Sequence, residues 1–450
     1  MAQLPSRETC PGLRRVAARA IRVVALLGGI AAWASPAGAQ YLQNYVPRGV
    51  PGYGTDRGVT VLSRERPDYD TDGVRVGSFV VRPMLGEATG YDSNVNGAGQ
   101  GSWLMHTAPA VSAQSDWGRD RLGAALSLDN YADFDQPRQS RTDWTATIGG
   151  GKTIGGSNLN LGYSHLSLHQ TSTELASVAS DTPVAFQVDD VRGDYTVDFG
   201  RLSFMPNVDL RNFTFDGTTV LGVPVSQSYR DRLVSQGGVT VRYSLSEQRN
   251  LLLVLTGLDS HYTRPQRGQP SNNSRSVLVL AGLDYLADGM FRYQLLAGGE
   301  VRIFAASAYG TRAAPIIEAR AIWTPTELTT VTGSLSREIE DPSAEGTSGY
   351  TYSIGRIVVD HEYRRDILLQ GRGGVQVAQY LHGGGTQTAF SIGAGATWLV
   401  NRNLRASLEY DFTDQSGSGN SSARAAQTLS GLSSGAYSRN VILLALRLAL

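Results

Sequence analysis

The sequence predicts an all-β chain: a transmembrane antiparallel up-and-down β-barrel of about eighteen strands (roughly 16–20), with short periplasmic turns and long extracellular loops. Three observations carry the prediction. Apolar and polar residues alternate with period two in one stretch after another, which is strand periodicity. The connections between those stretches alternate between tight and long. The last stretch, Asn440–Leu450, sets Ile442, Leu444, Leu446, Leu448 and Leu450 on one face and Arg447 on the other, with no polar tail. In a soluble sheet that strand would be an exposed apolar edge. A closed barrel pairs the edge and gives the apolar face to lipid.

Taken in order, residues 1–39 read as a cleaved secretory signal. Arg14, Arg15, Arg19 and Arg22 form a basic start, Val23–Ala34 a short apolar core, and Ala37-Gly38-Ala39 a small-residue cleavage site. Residues 40–74 are polar and rich in Pro, Gly and Tyr, and predict an extended periplasmic segment. Residues 75–450 form the barrel. Within it, Phe291, Tyr293, Leu295, Val301 and Ile303 alternate with Arg292, Gln294, Glu300 and Arg302; Leu404, Leu408, Tyr410 and Phe412 alternate with Arg405, Ser407, Glu409 and Asp411. Tight turns are predicted near Gly155–Ser157, Gly200, Ser246–Arg249, Asp288–Gly289, Pro325–Thr326 and Asn401–Asn403. Long loops are predicted at Asn94–Gly101, Gln170–Thr182, Asp216–Gln227, Thr263–Asn273, Asp341–Ser348 and Thr413–Gly435. Trp103, Trp117, Trp144, Tyr243, Trp323, Tyr363 and Trp398 fall near strand ends and predict, as a group, two aromatic girdles.

Composition narrows the function classes. Charged residues are 18%, below the usual quarter, and there are 52 glycines. After the N-terminal segment no run of about eighteen apolar residues offers a helical span. The one cysteine, Cys10, lies within the signal, which leaves the rest without a disulfide or a cysteine-held metal. Residues 1–39 carry five Arg against one Glu, so the remainder of a formally neutral chain is acidic by four. With a single lysine, Lys152, and no basic block, nucleic acid is excluded as a partner.

Arg66-Pro67-Asp68-Tyr69-Asp70, then Gly77-Ser78-Phe79-Val80-Val81-Arg82-Pro83, then Gly90-Tyr91-Asp92-Ser93-Asn94-Val95, resembles the putative beta-barrel porin 2 family. Thr71 stands where that family usually has Pro after the first run. The resemblance implies an outer-membrane barrel of the alphaproteobacterial kind, with no catalytic residue to carry over. Some members are encoded near surface-polysaccharide genes, and the expectation of a link to polysaccharide export rests on that alone. In outer-membrane barrels as a class the barrel assembly machinery reads the last strand. Leu450, Leu448, Leu446, Leu444 and Ile442 are therefore the candidate assembly signal, although such barrels most often end in Phe.

Catalytic motifs are sparse. Gly149-Gly150-Gly151-Lys152-Thr153 lacks the first Gly of a phosphate-binding loop, with Ala146 in its place, and precedes a turn rather than a helix. Gly431-Leu432-Ser433-Ser434-Gly435 matches a nucleophile elbow but sits in a Gly/Ser-rich loop. His165 and Ser167 share a strand face and are the one candidate for lipid hydrolysis, outweighed by a rim histidine. Asp92, Asp216, Glu338, Asp341 and Asp414 read as solvated loop acids rather than cation ligands.

No cofactor, metal or enzymatic activity is predicted. The strand phases instead turn Arg82, Asp209, Arg211, Arg230, Arg232, Arg242, Arg292, Glu300, Arg302, Glu318, Arg320, Arg372, Glu409, Asp411 and Arg447 inward. Charged groups tolerate a watery lumen, whereas an Arg facing mid-bilayer lipid costs about 2–4 kcal/mol. The expected function is a hydrophilic, porin-like conduit for a polar solute or polysaccharide. The expected partners are outer-membrane lipid, the assembly machinery and a periplasmic export partner. The competing expectation is a non-conducting barrel whose loops and 40–74 segment bind export machinery or surface polymer.

Overall fold

The computed structural model describes residues 50–53, 59–178, 180–265, 268–287, 290–343, 348–381, 385–418 and 436–450. The signal at 1–39, the turn at Asp288–Gly289 and the Gly431–Gly435 motif lie outside them.

The strands close into an antiparallel barrel of 18, each paired with its chain neighbour and the last with the first. They are β1 (Phe79–Asp92), β2 (Ser102–Ser115), β3 (Arg121–Asp133), β4 (Arg141–Ile154), β5 (Ser157–Gln170) and β6 (Val184–Phe199). Then come β7 (Leu202–Phe215), β8 (Arg232–Ser246), β9 (Arg249–Tyr262), β10 (Ser274–Ala287), β11 (Phe291–Phe304) and β12 (Thr311–Thr326). The circuit ends with β13 (Thr329–Glu340), β14 (Tyr350–Arg364), β15 (Ile367–Tyr380), β16 (Thr386–Leu399), β17 (Leu404–Ser418) and β18 (Tyr437–Ala449). Val74–Val76 extends the first strand as a hairpin. Most strands are 14 residues, enough to span a bilayer at the tilt barrels adopt.

Shorter turns and longer connections alternate round the circuit, apart from the β15–β16 connection, which is no longer than the β2–β3 turn, so one mouth carries the turns and the other the loops. One expected turn shifts: Pro325 and Thr326 belong to β12, and the reversal is at Glu327–Leu328, after a register break between Trp323 and Thr326. Closure runs from Met84↔Ala449 to Asp92↔Val441, as an antiparallel seam without free edges. Ile442, Leu444, Leu446 and Leu448 all face out, and Leu450 follows them, its N–H donating to the Pro83 carbonyl. The aromatics expected in girdles also face out: Trp103 and Trp144 toward the loop mouth, Trp117, Tyr243, Trp323, Tyr363 and Trp398 toward the turn mouth.

The inside of the barrel is not empty. Residues 171–178, after β5, fold inward and cross to the far wall. Leu175 and Ala176 pack with Tyr352, Ile354, Ala378 and Ala389 on β14–β16, and the Ala176 N–H donates to Gln387 Oε1 at 2.7 Å. At the other mouth, the segment expected to be extended before the barrel is seated against its inner wall. Val50–Tyr53 lies on β4–β6, where Tyr53 Oη donates to the Asp190 carbonyl at 2.8 Å. A side chain at Gly149 would collide with Pro51, and one at Gly162 with the Tyr53 ring. The Gly149-Gly150-Gly151 run is therefore part of a seat for the chain, not a phosphate loop. Farther along, Val61 packs on Leu368 and Leu399, Arg66 pairs with Glu362 at 2.9 Å, and Asp70 with Arg405 at 2.8 Å.

Candidate functional site: the charged inner wall

Alternation in a β-strand sends successive side chains to opposite faces. The outward face here is Leu, Val, Ile and aromatic, as in Leu251, Leu253 and Leu255 of β9. The strand residues predicted to face the lumen all have inward phase, and Arg230, on the turn before β8, also points in. They fall into three groups.

The first group braces the wall. Arg372 on β15 reaches over β16 to β17, pairing with Glu409 at 3.0 Å and donating from Nε to Asp411 Oδ1 at 2.8 Å. Gly393 on β16 permits the crossing, because a Cβ there would collide with the Asp411 carboxylate. The second group lies toward the turn mouth. Arg405 and Arg447 are direct cross-strand partners, like charges on one face, and Asp70 of the inserted segment pairs with Arg405. Arg82 carries Gly73 of that segment against its side chain. Arg242, partly exposed, sits 3.4 Å from Asp198, and Arg292 3.5 Å from Asp284. Arg320 faces in between Gln294 and Ser334.

The third group encloses a cavity of about 330 Å³ beneath the inward loop, lined from β6 round to β14. Asp209, Arg211, Arg230, Arg232, Glu300, Arg302 and Glu318 all border it. Arg211 pairs with Asp209 at 3.0 Å, Arg232 with Asp341 at 2.8 Å, and Arg302 with Asp341 at 2.9 Å. Arg232 and Arg302 draw Asp341 inward. Burial pushes its carboxyl up, but the two guanidiniums outweigh this and the net direction is down. Arg230 goes the other way: burial pulls its guanidinium down to about 10.

Two sequence readings change here. Asp92 is no loop acid. It ends β1, is buried, and receives Arg439 of β18 through Nε at 3.0 Å and 2.9 Å, a clamp across the closing seam. Arg439 was missed because nothing in its neighbourhood marks it until closure brings residues 92 and 439 together. Asp341 and Glu338 likewise line the cavity rather than the outer solvent. His165 and Ser167 do share the outward face, and Asp189 Oδ1 of β6 accepts from His165 Nδ1 at 2.8 Å. Among the described residues no hydrogen bond joins Ser167 to His165, so no nucleophile–base pair is formed. Among them no group of His, Cys, Asp and Glu is placed to hold a metal.

The model of the putative beta-barrel porin 2 family matches residues 66–433. The chain belongs to this family. Family and barrel together place it in a bacterial outer membrane as a porin-like protein. No curated protein matches it. Among solved structures it is similar to the outer membrane protein OpdK from Pseudomonas aeruginosa, at 10% identity over 82% of this chain and 99% of that one, with a TM-score of 0.43. OccK3 (OpdO) from the same organism gives 12%, 82%, 95% and 0.39. The FrpB iron transporter from Neisseria meningitidis gives 10%, 75%, 62% and 0.42. At such distances these likenesses say nothing about what this member carries.

Proposed function

We propose that the barrel is a hydrophilic conduit for small polar solutes, with the turn mouth and residues 40–74 in the periplasm and the long loops outside. The supporting observation is the inward loop at 171–178. It narrows the lumen while leaving a charged cavity beside it, as a selective channel needs and a solid structural barrel does not. Arg and carboxylate side chains on that path replace part of the water a solute sheds. The inward loop and the seated segment both lie inside the barrel, which favours small solutes over polysaccharide.

A second reading draws on one observation. Residues 59–72 are anchored in the turn mouth by Val61, Arg64, Arg66 and Asp70. A segment held there could close the barrel and present it to an export partner. Full-length protein and a variant lacking residues 40–72 behind an intact signal separate the two readings in planar bilayers. The conduit reading expects conductance from both, larger in the variant. Silence from both would favour the binding role.

A further inference from the structure

The chain before β1 is attached to the inner wall at two places that differ in depth and in kind. Val50–Tyr53 lies on β4–β6, and Val61–Arg66 on β13–β16. β5 and β14, one in each contact, stand nine strands apart in a circuit of 18, on opposite sides of the barrel.

The first attachment is deep and holds no ion pair. Gly149 is five residues from the Ile154 end of β4, and Gly162 five from the Ser157 start of β5. At the rise and tilt of barrel strands that is about 12 Å above the turn mouth. The wall makes room there by omitting side chains: Pro51 and the Tyr53 ring occupy the space that a Cβ at Gly149 or Gly162 would need. Gly52 takes a φ of +86°, which few other residues adopt, and its backbone comes down on Gly162. The one side-chain hydrogen bond is from Tyr53 Oη to the Asp190 carbonyl, and the Arg192 guanidinium lies 5.1 Å from the Tyr53 ring centre.

The second attachment is at the strand ends and is far denser. Val61 packs on Leu368 and Leu399, and its N–H donates to Thr330 Oγ1 at 3.1 Å. Arg64 and Arg66 share the Glu362 carboxylate. Arg64 also donates to the Glu327 carbonyl at 2.6 Å, and Arg66 to the Val61 carbonyl at 2.7 Å. Asp70 then pairs with Arg405 at 2.8 Å. Regions with few buried contacts open at lower free energy than regions with many, so the deep stretch leaves first. Its seat, cleared by glycines, can be vacated and refilled without moving the wall.

We infer that Val50–Tyr53 is a tethered gate. Seated on β4–β6 it narrows the lumen; released, it stays at the turn mouth because residues 59–72 hold it there. The gate rests on the conduit reading, and it makes the full chain switch between a lower conductance level, seated, and an upper one, released.

Single-channel recording in planar bilayers tests this on the full chain. Tyr53→Ala removes the ring from the seat, and Gly162→Val puts a side chain in its place. Each should lose the lower level and stay at the upper one, the level of the variant lacking residues 40–72. Val61→Cys with Thr330→Cys, oxidised in a Cys10→Ser background, fixes the mouth attachment and should leave both levels. Heat-modifiable migration in electrophoresis shows that each variant is folded; if Gly162→Val is not, Tyr53→Ala decides. A lower level that persists in either folded variant overturns the gate. So does switching that stops when the cysteine pair is oxidised and returns on reduction. Conductance from the 40–72 deletion, with a full chain unchanged by Tyr53→Ala, retains the conduit and overturns the gate. Silence from the deletion removes both.

Discussion

Two arcs of the inner wall use the same residue types differently. From β15 through the seam to β1, Arg372 pairs with Glu409 and Asp411 and Arg439 with Asp92, while Arg447 faces Arg405 with no carboxylate partner among the described residues. From β6 to β14 the charges surround a cavity, and Arg230 is left with no carboxylate among the described residues. Inward phase alone does not separate a paired arginine from an unpaired one. Whether the partner is already in the wall does.

The comparison can be broken at several points. The largest effect is expected at the seam. Removing Asn440–Leu450 leaves β1 and β17 as open edges in lipid, where unpaired backbone groups cost several kcal/mol each. No heat-modifiable, membrane-inserted species should form. Next comes the brace. Arg372→Gln strands Glu409 and Asp411 together on a half-closed wall, an expected loss of about 3–5 kcal/mol in urea unfolding, with conductance little changed. Gly393→Val should cost a comparable amount by forcing the same groups apart, and the double variant should be less than additive. Arg230→Gln should invert the pattern, sparing stability and altering permeation.

The inward loop gives a smaller, pH-dependent effect. Burial pushes the Glu174 carboxyl up to about 7, against hydrogen bonds from Thr171 that pull it down. The docked loop therefore binds a proton that the free loop would release. Docking is complete below the ordinary carboxylate range and weakens as pH rises through about 7, by up to about 3 kcal/mol. Conductance should rise over that window, and Glu174→Gln should flatten the profile. The smallest effect is expected from Arg242→Gln. Its pair with Asp198 is 3.4 Å long and partly exposed, so the loss should stay under about 1 kcal/mol.

The fold was legible because lipid on one side and water on the other impose period two on every strand. Leu404–Phe412 and the Ile442–Leu450 face show it without any tertiary information. The lumen-facing residues followed from the same phase. Their roles did not. Arg372 and Arg230 look alike in sequence, and what separates them is a glycine-cleared crossing to Asp411 in one case and a neutral pair, Gln170 and Ser343, in the other. Two polar stretches, 50–53 with 59–72 and 171–178, carry no periodicity that says they turn inward. Their anchors, Tyr53 on Asp190, Asp70 on Arg405 and Ala176 on Gln387, join residues more than a hundred positions apart.

The central claim is that the charged lumen conducts. Single-channel recording of the purified full chain in planar bilayers, with a sizing series of neutral sugars on each side, tests it most directly. The account predicts discrete conductance steps that small sugars lower by entering the pore and larger ones leave unchanged. A correctly folded, heat-modifiable barrel that inserts and shows no conductance at any voltage would contradict it.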